Sequence, residues 1–149
     1  MLENVESDDN KYRVQRIELI MSLRAHGITD TRVLRAIEKV PRHLFINQAF
    51  HDQAYCDHAL PIECGQTISQ PFIVAYMTSM LQVGDRDTVL EIGTGSGYQA
   101  AVLSHLARRV YTIERYRTLA RDAEARFEQL GLNNITTMVG DGIEGWPAD

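Results

Sequence analysis

Residues 88–142 alternate between two hydrophobic periodicities in an order that few folds accept. TVLEIG (Thr88 to Gly93) is a short β-branched apolar run, and SGYQAAVLSHLAR carries helical spacing. VYTIE (Val110 to Glu114) is a second strand, RTLARDAEARFEQLG a long helix closed by Gly131, and NITTMVGDG a third strand with its turn. Strand, helix, strand, helix, strand is the pattern of a parallel sheet with crossover helices, so the fold class is α/β. Such a sheet gathers the carboxyl ends of its strands along one edge, where ligands bind.

The chain upstream reads differently. Residues 1–10 look like a frayed acidic leader. From Tyr12 to His26, Val14, Ile17, Ile20, Met21 and Leu23 fall near helical spacing, and Gly27 supplies a stop. A second helix begins at Thr29 or Asp30, either of which could cap it, and carries Val33, Leu34, Ile37 and Val40 up to Pro41. Residues 41–66 read as loops with one short helix at most. Pro71 to Leu81 is again helical and strongly apolar, with the Phe72, Tyr76 and Met80 stripe expected in the core.

At 149 residues the chain has room for one domain with a proper core, and its 44% hydrophobic and 23% charged residues exclude global disorder. A net charge of −5 and the lack of a Lys/Arg block argue against nucleic acid as a partner. Cys56 and Cys64 match neither a zinc ribbon nor a disulfide framework and are expected to be free thiols in a reducing compartment. His43, His51 and His58 lack paired ligand spacing, so no metal site is expected and they read as surface or loop residues. No apolar run approaches membrane-spanning length, and the acidic start is unlike a signal peptide. The expected location is the cytoplasm, with no membrane partner.

Three strand ends carry the candidate chemistry. The first strand runs through Glu91 into Gly93, Gly95 and Gly97, a turn that bends sharply and lets a ligand approach the backbone. A dinucleotide site is the rival reading, but its fingerprint is G-x-G-x-x-G, whereas here the spacing is G-x-G-x-G followed by Tyr98. Glu114 ends the second strand, where a carboxylate can accept from two ribose hydroxyls. Its plainer alternative is a solvated charge paired with Arg115 or Arg117. Asp141 ends the third strand and could accept from an adenine amino group, with Gly142 leaving room for the base; an ordinary Asp-Gly turn explains the pair equally well.

The tight glycine spacing after Glu91 resembles motif I of the S-adenosylmethionine-dependent methyltransferases. GQTISQPFIVAYMT, with PRHLF upstream and VLEIGTGSGYQAA downstream, closely resembles the protein-L-isoaspartate (D-aspartate) O-methyltransferases, over about Ile17 to Trp146. The resemblance implies a Rossmann-like methyltransferase sheet with an N-terminal helical extension, incomplete at its C-terminal half. It implies one domain over residues 1–149, with 1–70 forming the helical and substrate-loop region and 71–149 the cofactor-binding half. The implied cofactor is S-adenosylmethionine, bound through Glu91, Gly93, Gly95, Gly97, Glu114, Asp141 and Gly142.

In that family the equivalent of Ser69 is assigned to the active site and the loop around Thr67 closes over cofactor and substrate. The implied reaction methylates the α-carboxylate of L-isoaspartyl residues in damaged peptides and proteins. A carboxylate is already ionised at neutral pH, so alignment and exclusion of water are what an enzyme must add. Hydroxyls and amides of Thr67, Ile68 and Ser69 suit that task, although Ser or Thr ahead of a Pro-initiated helix can also serve as its cap. A small-molecule methyltransferase and a cofactor-binding fragment without activity are the alternatives. An incomplete sheet is further expected to leave its first strand with a free edge, a surface for self-association.

Overall fold

The alternating pattern from Thr88 onward folds as a three-stranded parallel sheet. The structure, a computed structural model, describes the backbone of residues 2–147 and the side chains of residues 10–147. In chain order the elements are α1 (Leu2–Ala25), α2 (Thr31–Lys39), β1 (Leu60–Pro61), β2 (Thr67–Ile68), α3 (Pro71–Leu81), β3 (Thr88–Ile92), α4 (Tyr98–Ser104), β4 (Arg109–Glu114), α5 (Arg117–Gln129) and β5 (Ile135–Val139). The sheet order is β3-β4-β5. Val89 lies beside Val110, which lies beside Ile135, and Leu90 beside Tyr111 and then Thr136.

Because side chains alternate across a strand, this register puts Val89, Val110 and Ile135 on one face of the sheet and Leu90 and Tyr111 on the other. The first face is the packed one. Val110, Ala100, Ala101, Val102, Ala123 and Phe127 join one hydrophobic core that extends through Val74 and Ala75 of α3 to Leu34 and Ile37 of α2 and Leu23 of α1. On the opposite face Leu90 and Ile92 are 45% and 55% exposed, while Trp146 covers Tyr111 with ring centroids 4.6 Å apart. Among the described residues the outer edge of β3 has no strand partner.

Local chemistry accounts for most boundaries. Asp30 caps α2 through its carboxylate, accepting from the amides of Arg32 (3.0 Å) and Val33 (3.3 Å). Gly27, in the left-handed region, lets the chain leave α1 while the Ile28 amide donates back to the Leu23 carbonyl.

Several expectations need correction. α1 begins at Leu2, so residues 2–10 are helical backbone rather than a frayed leader. Residues 41–66 hold three short 3₁₀ turns (Arg42–Phe45, Gln48–Gln53 and Glu63–Gly65) and strand β1, where one short helix at most was expected. The helix after the glycine turn is confined to Tyr98–Ser104. Of the Phe72, Tyr76 and Met80 stripe only Phe72, half-buried, packs against the core: Tyr76 is 49% and Met80 67% exposed, and α3 instead buries Pro71, Val74, Ala75 and Thr78. A helix apolar around most of its circumference shows by periodicity that it is a helix, and not which side packs.

Candidate active site

The glycine turn is bound to the second strand before any side chain enters. The amides of Gly93 and Thr94 both donate to the Ile113 carbonyl, at 2.8 and 3.2 Å. Gly97 has φ 93°, and a Cβ there would sit 2.8 Å from the Phe127 ring, so this position needs glycine both for its backbone angle and for packing against α5. Gly93 differs, because a Cβ there would meet nothing within 4 Å. The turn is therefore closed beneath Gly97 and open above Gly93.

Glu114, 6% exposed, reaches from the end of β4 back to this turn. Its Oε2 accepts from the Gly95 amide at 2.8 Å and its Oε1 from the Tyr116 amide at 3.0 Å. The expected alternative, a solvated charge paired with Arg115 or Arg117, does not describe it, since Arg115 instead donates to the Tyr116 hydroxyl. Glu91 accepts from the Thr112 hydroxyl at 2.6 Å, and Thr112 is in turn 2.6 Å from the hydroxyl of Thr94. Burial pushes the Glu91 carboxyl up to about 7; the Thr112 hydrogen bond opposes that rise and the nearby charge of Glu114 adds to it.

Thr67 and Ser69 lie across the opening. Thr67 and Ile68 form β2, paired antiparallel with β1, which holds the hydroxyl segment extended. Thr67, Ser69, Glu91, Gly93, Thr94 and Gly95 border one recess of about 80 Å³ whose lining contains no Lys or Arg. Ser69, Glu91, Gly93 and Gln99 also border a larger neighbouring recess of about 350 Å³, walled by α3 and β3. Gln99 is fixed there by donating to the Thr78 hydroxyl at 2.9 Å.

The capping role considered for the hydroxyl segment falls elsewhere. Asp57 accepts from the Phe72 amide at 2.8 Å and from the Gln70 side-chain amide at 3.3 Å, so α3 is capped by a residue thirteen or more positions upstream. Thr67 and Ser69 are exposed and do not cap α3. Asp141 and Gly142 also stand apart from the recess. Asp141 accepts from the Ile143 amide at 3.0 Å and caps the short turn Gly142–Glu144, while Gly142 packs so closely on Ile92 that a Cβ there would collide with it. The third strand end thus touches the first through Ile92, outside the recess formed by the others.

Sequence reasoning missed Arg42, Asp57, Thr94 and Thr112. Arg42 had a signal: a lone charge between Val40-Pro41 and Leu44-Phe45 is a candidate for a buried, structural cation. Two of the histidines, His43 and His51, are half-buried in 3₁₀ turns rather than surface loop residues. His43 stacks on Tyr12 (centroids 4.0 Å, 6° between planes) with its Nδ1 2.9 Å from the Tyr55 hydroxyl, and His51 Nε2 is 3.1 Å from the Ile46 carbonyl. His58 is exposed beside Gln53. Among the described residues no group of three or more His, Cys, Asp and Glu could hold a metal ion.

A parallel sheet with a glycine turn ending its first strand, tied by backbone amide to a carboxylate ending its second, defines the Rossmann-like methyltransferase class. The profile of the protein-L-isoaspartate(D-aspartate) O-methyltransferase family matches residues 14–149. The chain belongs to that family. It is 65% identical over 144 residues to the protein-L-isoaspartate O-methyltransferase of Parvibaculum lavamentivorans, covering 97% of this chain and 65% of the relative. Among solved structures, a protein-L-isoaspartate O-methyltransferase superposes with TM-score 0.81 at 30% identity, over 89% of this chain and 44% of that one. A Plasmodium falciparum protein described as a protein-L-isoaspartate O-methyltransferase, solved with S-adenosyl-L-homocysteine, shares the fold at TM-score 0.71 and 22% identity, over 83% of this chain and 62% of that one. The chain spans 58–65% of the length of the curated relatives it matches.

Proposed function

We propose that the chain contributes the cofactor and hydroxyl-loop half of a repair methyltransferase, which transfers the methyl group of S-adenosylmethionine to the α-carboxylate of L-isoaspartyl residues in damaged proteins. The observation that carries this reading is the shared recess, in which Thr67 and Ser69 face Glu91 and the open side of the glycine turn. When bound, the cofactor supplies an electrophilic methyl on a positively charged sulfur. A recess with no basic side chain in its lining, and with the Glu91 carboxyl, whose ionised form a bound cation favours, fits such a group. Residues 1–70 bring the loop and residues 71–149 the cofactor half.

Each residue then has a task its chemistry suits. Glu114 offers carboxylate lone pairs to ribose hydroxyls while the Gly95 amide keeps it oriented. Gly93, Gly95 and Gly97 shape the turn around the cofactor, Glu91 lies at its foot, and Asp141 with Gly142 receives the adenine end. Thr67 and Ser69 hold the acceptor carboxylate by hydrogen bonds without neutralising it, so that it keeps its nucleophilicity as water is excluded. The reading also includes a cytoplasmic location, supported by two exposed free thiols, Cys56 and Cys64. It includes self-association through the free edge of β3.

Ser69→Ala tests the assignment of the loop. Methyl transfer to an isoaspartyl peptide falls by about 10- to 100-fold, on the scale of losing one positioned hydrogen-bond donor. Affinity for S-adenosylhomocysteine, measured by calorimetry, changes less than about threefold. Equal losses in both would contradict the assignment.

A further inference from the structure

Arg42 is fully buried, and among the described residues it forms no ion pair with a carboxylate. The ion pairs among the described residues are Lys11–Asp52 and Arg121–Asp122. Its Nε donates to the Ala54 carbonyl at 2.7 Å and its Nη2 to the Ser69 carbonyl at 3.0 Å. The guanidinium carbon lies 4.8 Å from the centre of the Tyr98 ring, and Tyr98 is the first residue of α4, directly after Gly97. Nη1 is buried without a hydrogen-bond partner among the described residues. Burial lowers the pKa of the group from its ordinary value, opposed by Tyr98, Tyr55 and Asp57. A guanidinium nevertheless remains charged in proteins.

A buried cation with no ion pair among the described residues is costly to keep, even with two carbonyls and the Tyr98 ring as partners. We propose that Arg42 is a positioning residue, which sets the Ser69 loop against the glycine turn and stands as a fixed positive charge behind the place where the acceptor carboxylate binds. The proposal rests on the function proposed above.

Its geometry is a fork and a stack. One arm fixes the Ser69 carbonyl toward the interior. In a planar trans peptide the following N–H, that of Gln70, must then point the opposite way, out of the interior. The stack fixes Tyr98 at the base of the turn. Asp57 holds the same segment one and three residues further on, through Gln70 and Phe72. The chain is therefore held at the Ser69 carbonyl and just after it by two side chains, Arg42 and Asp57, that do not line the recess.

The test uses the chain with Arg42→Met and Arg42→Lys. Met removes both charge and fork; Lys keeps the charge and loses the fork. Amide exchange over residues 62–72, which needs no turnover, reads the loop: it is expected to rise about tenfold or more in Arg42→Met and by a smaller factor in Arg42→Lys. With turnover, KM for the isoaspartyl peptide is expected to rise about tenfold in Arg42→Met and less in Arg42→Lys, while affinity for S-adenosylhomocysteine changes less than about threefold.

Unchanged exchange in folded variants would overturn the proposal. So would loss of loop protection, cofactor affinity and melting temperature by a common factor, which is what a purely structural residue produces. If Arg42→Met fails to fold, the exchange of folded Arg42→Lys decides alone. If the parent chain transfers no methyl group, the proposed function is what fails, and the exchange comparison still decides whether Arg42 positions the loop.

Discussion

At the foot of the glycine turn, Glu91 accepts from Thr112, and burial holds its carboxyl near 7 instead of the ordinary 4.5. The unfolded chain releases this proton first as pH rises, so the group costs stability progressively between 4.5 and about 7, after which the effect is constant. Glu91→Gln keeps an acceptor oxygen for Thr112 and removes the titration. The variant is expected to gain on the parent by on the order of 2 kcal/mol across that window, measured by urea unfolding at a series of pH values. A stability difference that stays flat with pH would contradict this account. Glu91 and Glu114 could be picked out beforehand because each ends or precedes a strand terminus in a local pattern. Their partners, Thr112 and the Gly95 amide, come from other segments, and no spacing along the chain announces them.

Elements were legible where one period dominates. The β-branched runs at Thr88 and Val110 and the amphipathic α2 have a single reading, and each lies in the structure close to its expected place. In α3 that logic fails, because PFIVAYMTSML is apolar on most sides, and the packed side is chosen by α2 and the sheet. Its bounds were read correctly at Pro71 and Leu81, but its cap was not, since a local Ser or Thr cap is simple to infer whereas Asp57 arrives from a different turn. Asp57→Ala is expected to destabilise the chain by about 1 kcal/mol, the usual worth of an N-cap. Amide exchange should place the loss at the first turn of α3. Uniform loss across the chain would show that Asp57 does not act as its cap.

Over the whole molecule, one face of the sheet is covered by helices and the other presents Leu90 and Ile92 beside Met77 and Leu81 of α3, each 58% exposed. An unpaired β3 edge next to an apolar surface is a template for association. Sedimentation over a range of concentrations is expected to show self-association that Leu90→Lys suppresses, leaving affinity for S-adenosylhomocysteine within about threefold. Association insensitive to Leu90→Lys would place the contact elsewhere. The parallel order of the strands was legible from their alternation with helices. The free edge of β3 was foreseen only through the resemblance, because no single strand declares how many neighbours it has.

The most direct measurement is transfer of label from methyl-labelled S-adenosylmethionine to an isoaspartyl peptide, with the matching aspartyl peptide as control and release of the label in mild base as the readout for an ester. The account predicts base-labile label on the isoaspartyl peptide alone, reduced by Ser69→Ala. Equal labelling of both peptides, or no labelling by a chain that binds S-adenosylhomocysteine, would contradict it.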